Sequence, residues 1–377
     1  MNRFAIRAFA PLYVSLTMLL SACSFAPGQR MVTPPTLPET GGEYSTEAEQ
    51  QVQIPITDIN LSLVRKMKAS PSDISPQTLN LFGKPSSYKI GPGDVLQITV
   101  WDHPELAAAL GQPAAPQRTT DAGVGFLVDH DGNVQFPYAG TVHVAGQDAA
   151  AVQREIHKRL SVVYSKPEVT VRVASFRAAT VYIDGEVREP GAAPINDIPM
   201  SLTEEINRAG GFTPNADQSR VDLVRNGVTY PLNVADLIRR GRSPSDIYLQ
   251  NGDMLHIASR EDHGVYLMGE VNRPATIMPM RDGRLTLSEA LSQAGSINPN
   301  TAEAKQLFVI RDSTGDKPEI YHLDATSPVS MMLANQFELQ PKDVVYVDNN
   351  GLVRFNRVLN LILPAINAGV TGALLAK

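Results

Sequence analysis

The sequence predicts an α+β, multi-domain protein in which three small mixed units stand in series ahead of an amphipathic helix. Three observations carry that reading. The first is a tandem duplication. Val181-Tyr-Ile-Asp-Gly-Glu-Val-Arg-Glu-Pro190 returns as Val265-Tyr-Leu-Met-Gly-Glu-Val-Asn-Arg-Pro274, with six of ten positions identical. Residues 201–215 return in nearly the same register as residues 286–300, and two such coincidences mark a repeated structural unit. The second is a turn ending in aspartate that precedes an apolar-alternating run three times, at Pro92-Gly93-Asp94, Asn251-Gly252-Asp253 and Pro341-Lys342-Asp343. The third is the alternation of strand-period runs with short helix-period runs throughout the body of the chain.

Taken in order, the elements begin with a targeting segment. Arg3 and Arg7 precede the short apolar run Ala8 to Leu20, which closes on Leu20-Ser21-Ala22-Cys23. Small residues before a cut mark a signal peptide, and Leu-Ser-Ala-Cys is the narrower bacterial lipobox. Residues 1–22 are therefore expected to be removed, leaving Cys23 with diacylglycerol on its sulfur and an acyl chain on its nitrogen. Ser24, where Asp signals inner-membrane retention, fits an outer-membrane lipoprotein. Residues 23–85 are dominated by Pro, Thr, Glu, Gln and Ser, with a weak apolar patch at Ile59 to Met67. They read as an extended tether or lightly packed arm.

The first mixed unit spans 86–175. Gly91-Pro92-Gly93-Asp94 turns into an alternating strand that reaches Trp101. Asp129-His130-Asp131-Gly132-Asn133, between apolar runs 123–128 and 134–138, predicts a hairpin. Val152, Ile156, Leu160 and Val163 recur at helical spacing, and Glu168 to Ala174 alternates again. The duplicated units follow at 179–260 and 263–349. In each, Ser201 or Thr286 stands three residues before Glu204 or Glu289, the signature of a capping box. Gly210 and Gly295 fall where a helix end wants a left-handed residue.

Composition removes several function classes. A net charge of −6 argues against nucleic acid, which demands a basic face. One cysteine in 377 residues excludes intramolecular disulfides, so the folded units must hold by packing. Asp129-x-Asp131-x-Asn133 opens like a calcium loop, but Val134 stands where its sharp turn needs Gly. The seven histidines show no two-ligand helical spacing, so no metal and no cofactor are expected. Trp101-Asp102-His103-Pro104-Glu105 gathers two carboxylates and an imidazole, but a strand leaving its sheet before a proline explains it more simply than acid–base chemistry. Nucleophile elbow and phosphate loop are both missing, so no catalytic residue is assigned and no enzyme is expected. Tyr138, Tyr164, Tyr182, Tyr230, Tyr248, Tyr266 and Tyr346 offer faces to sugars, although aromatics on strands more often belong to cores.

The lipobox, the Tyr-x-Ile-Gly-Pro-Gly-Asp-Val-Leu opening with Val-Trp-Asp-His-Pro-Glu-Leu at 100–106, the paired Gly-Glu-Val-x-x-Pro units and the apolar tail together resemble the outer-membrane polysaccharide export lipoproteins, the Wza type most closely. The resemblance runs from Cys23 to the tail. It implies a polysaccharide-export domain, two β-grasp-like SLBB domains, and a tail helix at 352–377 that forms an α-helical barrel with its copies. It further implies a homo-oligomeric ring, an octamer in the Wza type, through which capsular polysaccharide or exopolysaccharide leaves the periplasm. An inner-membrane polysaccharide copolymerase, often a tyrosine autokinase, would be the partner. The competing expectation is a periplasm-facing lipoprotein that binds glycan or a partner through its repeats without making a pore.

The tail has the physics such a barrel needs. Phe355 to Ala376 would make ~33 Å of helix at ~1.5 Å per residue, matching a hydrocarbon core of ~30 Å. At helical spacing Asn356, Asn360, Asn367 and Thr371 fall on one stripe with Pro364, the expected pore lining. Phe355, Val358, Ile362, Ile366 and Val370 lie opposite, facing lipid. Ala365, Ala368, Gly372 and Ala376 form a flank where small side chains permit close helix–helix approach. Side-by-side copies can turn such amides away from lipid and onto water; the alternative is an amphipathic helix docked on its own protein or lying along the membrane surface. Leu374 and Leu375 intrude on the stripe, making the last turn its weakest part.

Overall fold

The computed structural model describes residues 28–357 and residue 360, apart from 42–43, 47, 49, 70–74, 104, 107–123 and 313–317. By contacts the chain divides into two units. One comprises residues 72–260 with 281–283, and the other holds the N-terminal segment to 71 together with 261–280 and 284–377.

The arm is more structured than a tether. Strands β1 (Thr36–Thr40) and β2 (Gln50–Gln53) pair antiparallel. Strand β3 (Ile56–Asp58) and helix α1 (Leu61–Ala69) follow, then the one-turn helix α2 (Pro76–Leu79), capped by the Ser75 hydroxyl, which accepts from Thr78 N at 3.1 Å. The arm's few apolar residues are spent on other modules. Ile59 and Val64 are 4% and 1% exposed in one core, and Leu81 is buried in another. Sequence could not show this, because β3 finds its hydrogen-bond partner more than 260 residues away.

The first mixed unit is built on β4 (Val95–Val100), which pairs antiparallel with both β5 (Phe126–Leu127) and β8 (Val169–Ser175). Strands β6 (Asn133–Phe136) and β7 (Gly140–His143) form a separate hairpin. The expected hairpin across 129–133 is thus corrected. Asp129 N does donate to Asn133 O at 2.9 Å, but the chain leaves the turn to pair forward with β7 while β5 pairs back to β4. Helix α3 (Ala149–Leu160) presents Val152, Ile156 and Leu160 to the core, each fully buried, as their spacing predicts. Asp148 caps its start, accepting from Ala151 N at 2.7 Å.

The duplication is visible strand for strand. In the first copy β9 (Thr180–Gly185), β10 (Gly191–Pro194), helix α4 (Leu202–Arg208), β11 (Ala216–Arg225), β12 (Val228–Leu232), helix α5 (Val234–Arg239) and β13 (Met254–Ser259) give the sheet order β10-β9-β13-β11-β12. In the second, β14 (Val265–Gly269), β15 (Ala275–Ile277), helix α6 (Leu287–Gln293), β16 (Ala302–Arg311), β17 (Glu319–Leu323), helix α7 (Ser330–Ala334) and β18 (Val344–Asn349) give β15-β14-β18-β16-β17-β3. The pairs β9–β13 and β14–β18 are parallel, with Tyr182 opposite Met254 and Tyr266 opposite Val344. Parallel neighbours need a long crossover, which the intervening helices and strands supply.

The motif Gly-Glu-Val-x-x-Pro now has a cause. Gly185 and Gly269 sit at φ +81° and +82°, and a Cβ on either would fall on the carbonyl oxygen of Ile257 or Val347 in the neighbouring parallel strand. Only glycine lets the two backbones come this close. The glutamates that follow donate their amide N–H to those same carbonyls at 2.9 Å.

Candidate functional site

The end of β18 gathers the two segments that sequence reads as membrane attachments. Asn350 follows the strand directly and caps the next helix. Its Oδ1 accepts from Val353 N at 2.9 Å, and its Nδ2 donates to Asn300 O at 3.0 Å. Residues 351–357 are helical from that cap onward, so the tail leaves the second repeat with no flexible linker. About two turns along, the Arg357 guanidinium donates to Glu270 Oε1 at 2.7 Å, and Glu270 is the glutamate of the second Gly-Glu-Val motif.

The beginning of the described chain arrives at the same place. Gln29 O accepts from the Tyr346 hydroxyl at 2.7 Å and from Asn349 Nδ2 at 3.3 Å. Met31 N donates to Asp348 Oδ2 at 3.3 Å. Gly28, at φ +123°, lies against the Arg357 guanidinium, where a side chain would collide. Gly28, Gln29, Tyr346, Asn349 and Arg357 line a cavity of about 390 Å³ with Gly269 and Glu270. Tyr346 is 8% exposed, and burial, reinforced by the Asp348 carboxylate, pushes its hydroxyl up to about 12. It therefore stays a neutral donor to Gln29 at any physiological pH. Asn349 Oδ1 is buried with no hydrogen-bond partner among the described residues.

Asn356 and Asn360 are helical and exposed, and so is Phe355 from the opposite stripe. Cys23, Ala365, Asn367, Ala368, Thr371, Gly372 and Ala376 lie outside the described residues. Among the described residues no helix is long and apolar enough to cross a membrane, and no group of His, Cys, Asp or Glu could hold a metal ion. His103 Nδ1 bonds Glu105 Oε1 at 2.9 Å and packs on Tyr164, with ring centroids 4.3 Å apart. The Glu105 carboxyl is held below its usual range by its own backbone amide and by His103. Tyr138, Tyr182 and Tyr266 are exposed, Tyr164, Tyr230 and Tyr248 are half-buried, and Tyr346 is buried. Sequence reasoning missed Gln29 and Asp348, and named Tyr346 only as a sugar face or core residue, not as a donor to Gln29. Asn350-Gly351 ahead of an apolar periodic run was the available signal for the cap.

A mixed unit followed by two like modules defines a class as well as an architecture. Residues 83–174 match the family described as polysaccharide biosynthesis/export protein. Residues 179–257 and 263–347 each match the SLBB domain. The EPS I polysaccharide export outer membrane protein EpsA of Ralstonia nicotianae is 42% identical over 382 residues, covering 97% of this chain and 96% of that protein. The capsule polysaccharide export outer membrane protein CtrA of Neisseria meningitidis is 24% identical over 389 residues, covering 94% and 95%. The capsule polysaccharide export protein BexD of Haemophilus influenzae is 25% identical over 384 residues, covering 94% and 95%. The chain belongs to the outer-membrane polysaccharide export family, whose members are export proteins and not enzymes.

Proposed function

We propose that the protein is the outer-membrane channel through which a capsular polysaccharide or exopolysaccharide leaves the periplasm. Copies assemble as a ring, eightfold as in the Wza type. Their tails, residues 352–377, close into a helical barrel across the bilayer, with Asn356, Asn360, Asn367 and Thr371 facing the lumen and Ala365, Ala368, Gly372 and Ala376 at the seams. Cys23 carries the lipid anchor, the bulk of the chain hangs in the periplasm, and an inner-membrane copolymerase delivers the polymer.

The observation that carries this reading is the convergence at β18. Gly28, five residues after Cys23, and Arg357, at the root of the tail, meet over Tyr346, Asn349 and Glu270. At ~3.3–3.6 Å per residue, at most about 18 Å of chain separates the lipidated cysteine from that point. A lipid anchor and a spanning helix that start from one spot load the same leaflet without straining the module between them. The relatives' names, all polysaccharide export proteins and two of them outer-membrane proteins, support the substrate and the location.

The test is topological. An epitope is placed after Lys377 and whole cells are labelled. A spanning tail is reached from outside in intact cells; labelling that appears only after permeabilisation overturns the channel and leaves a periplasm-facing lipoprotein.

A further inference from the structure

We infer that the export module carries a saccharide-binding cleft, built around Trp101 and selective for acidic sugar residues. The inference rests on the export reading above and names the polymer chemistry the module holds. Trp101 is the only tryptophan of the chain, and it is 59% exposed. Its indole N–H donates to Thr170 Oγ1 at 3.1 Å, and its backbone N–H donates to Glu168 O at 2.9 Å. The ring is therefore held in one orientation while a face stays open to solvent. A tryptophan fixed outside the core gives up the burial that normally stabilises it, which a monomer tolerates where something else covers the ring.

What surrounds it is polar. Trp101, Gln153, Arg154, His157, Lys166 and Glu168 line a cleft of about 550 Å³, within the range of small-ligand sites of roughly 300–1,000 Å³. Gln153, Arg154 and His157 come from one face of α3, and their side chains are exposed. Among the described residues Arg154, His157 and Lys166 form no ion pair, and they outnumber the single carboxylate of Glu168 in a protein whose net charge is −6. An uncommitted guanidinium and ammonium beside an aromatic face is the set a uronic acid or other acidic sugar uses. The C–H face lies on the ring, the carboxylate sits on the fork of Arg154, and the hydroxyls take the amide.

Backbone geometry supports a built site. Lys166 stands at φ +54° immediately before Pro167, and Asp102, immediately after Trp101, at φ +64°. The left-handed conformation is costly for a lysine, and more so before proline, whereas aspartate is among the residues that tolerate it. Strain of this kind persists where the surroundings hold it, and it clusters at sites that position side chains. Here it stands at Lys166, on the wall of the cleft that leads into Glu168.

The lone tryptophan makes the test direct. Full-length lipidated protein in detergent is titrated with a uronic-acid oligosaccharide, oligogalacturonate, and with a neutral maltooligosaccharide, while tryptophan emission is followed. The expected result is a saturable change with the acidic probe that weakens as salt rises. Arg154→Gln and Lys166→Gln, both at exposed positions that leave the fold intact by circular dichroism, should each lower the affinity about tenfold. Equal response to the neutral probe, unchanged affinity in both variants, or emission that follows protein concentration and ignores saccharide overturns the proposal. The last outcome would make the cleft a contact between copies. Binding in this assay together with a tail reached only after permeabilisation would sink the channel and spare the cleft, so the two failures are distinguishable.

Discussion

The two SLBB repeats share one sheet order, yet they guard their centres differently. Each buries an arginine–aspartate pair at the turn that enters its last strand. In the first, Arg225 donates to both oxygens of Asp253, at 2.9 and 2.6 Å, and to Tyr248 O at 2.8 Å. In the second, Arg311 does the same to Asp343, at 3.0 and 2.7 Å, and to Glu338 O at 3.1 Å. The second pair is drier, with side chains 5% and 0% exposed against 12% and 1%, and Arg311 also lies over the rings of Tyr321 and Phe337. The repeats part at three other places. The free edge of the first sheet, β12, is packed by the one-turn helix α2, while β17 is extended by β3. Glu186 takes the hydroxyl of Thr213, whereas its counterpart Glu270 holds Arg357. Glu205 occupies a core position where the second copy has Ala290. A duplicated fold keeps its hydrogen-bonded frame and lets the surfaces that meet other segments diverge.

The comparison breaks most sharply at the dry pair. Asp343→Ala strands a buried guanidinium and should cost about 3–5 kcal/mol. Hydrogen exchange should then speed up along β16 and β18. Asp253→Ala should cost less, because Arg225 reaches water more easily. Equal losses would mean that the frames are interchangeable.

Next in size are the motif glycines. Gly185→Ala and Gly269→Ala each place a methyl on a strand carbonyl at positive φ, and each should cost at least about 2 kcal/mol. Thermal unfolding of the two variants checks this, and the losses should agree, since the local geometry is the same in both copies.

The smallest effect is a gain. Glu205 is 1% exposed, and its Oε2 has no hydrogen-bond partner among the described residues. Burial pushes its carboxyl above the ordinary 4.5, with Arg208 pulling it back and Glu204 adding to the rise. A raised folded value costs nothing below the unfolded one, so stability is highest at acid pH and falls as pH rises from about 4.5 through the folded value. Glu205→Gln should remove that slope and add about 1 kcal/mol at pH 7. Unfolding measured at pH 4 and pH 7 reads both, and a variant that keeps the wild-type slope would place the titrating group elsewhere.

Much of this was legible because it is local. The strand-entering turn was read at all three sites, and all three aspartates prove buried, at 0–1% exposure. Asp94 accepts from Tyr88, Gly91, Arg177 and Ala178. Asp253 and Asp343 accept from Gln250 N and Gln340 N at 2.7 and 2.8 Å. The helix starts and the glycines after them were equally plain. Thr286 and Glu289 complete the expected capping box, while the first copy forms only half of its own, the Ser201 hydroxyl taking Glu204 N at 3.2 Å.

Sequence by itself therefore determined the caps, the turns and the glycines, because each is set by residues within a few positions of one another, and the duplication, because a repeat is legible by comparing the chain with itself. Only the tertiary structure decided what the arm does, which arginine finds which aspartate, and that the root of the tail meets the residues following the lipobox. Those partners lie 28 to more than 300 residues apart. Their meeting depends on how sheets order their strands, and a one-dimensional pattern does not carry that order. The helix that begins at Gly351 starts from a definite place, capped by Asn350 and tied down by Arg357 and Glu270.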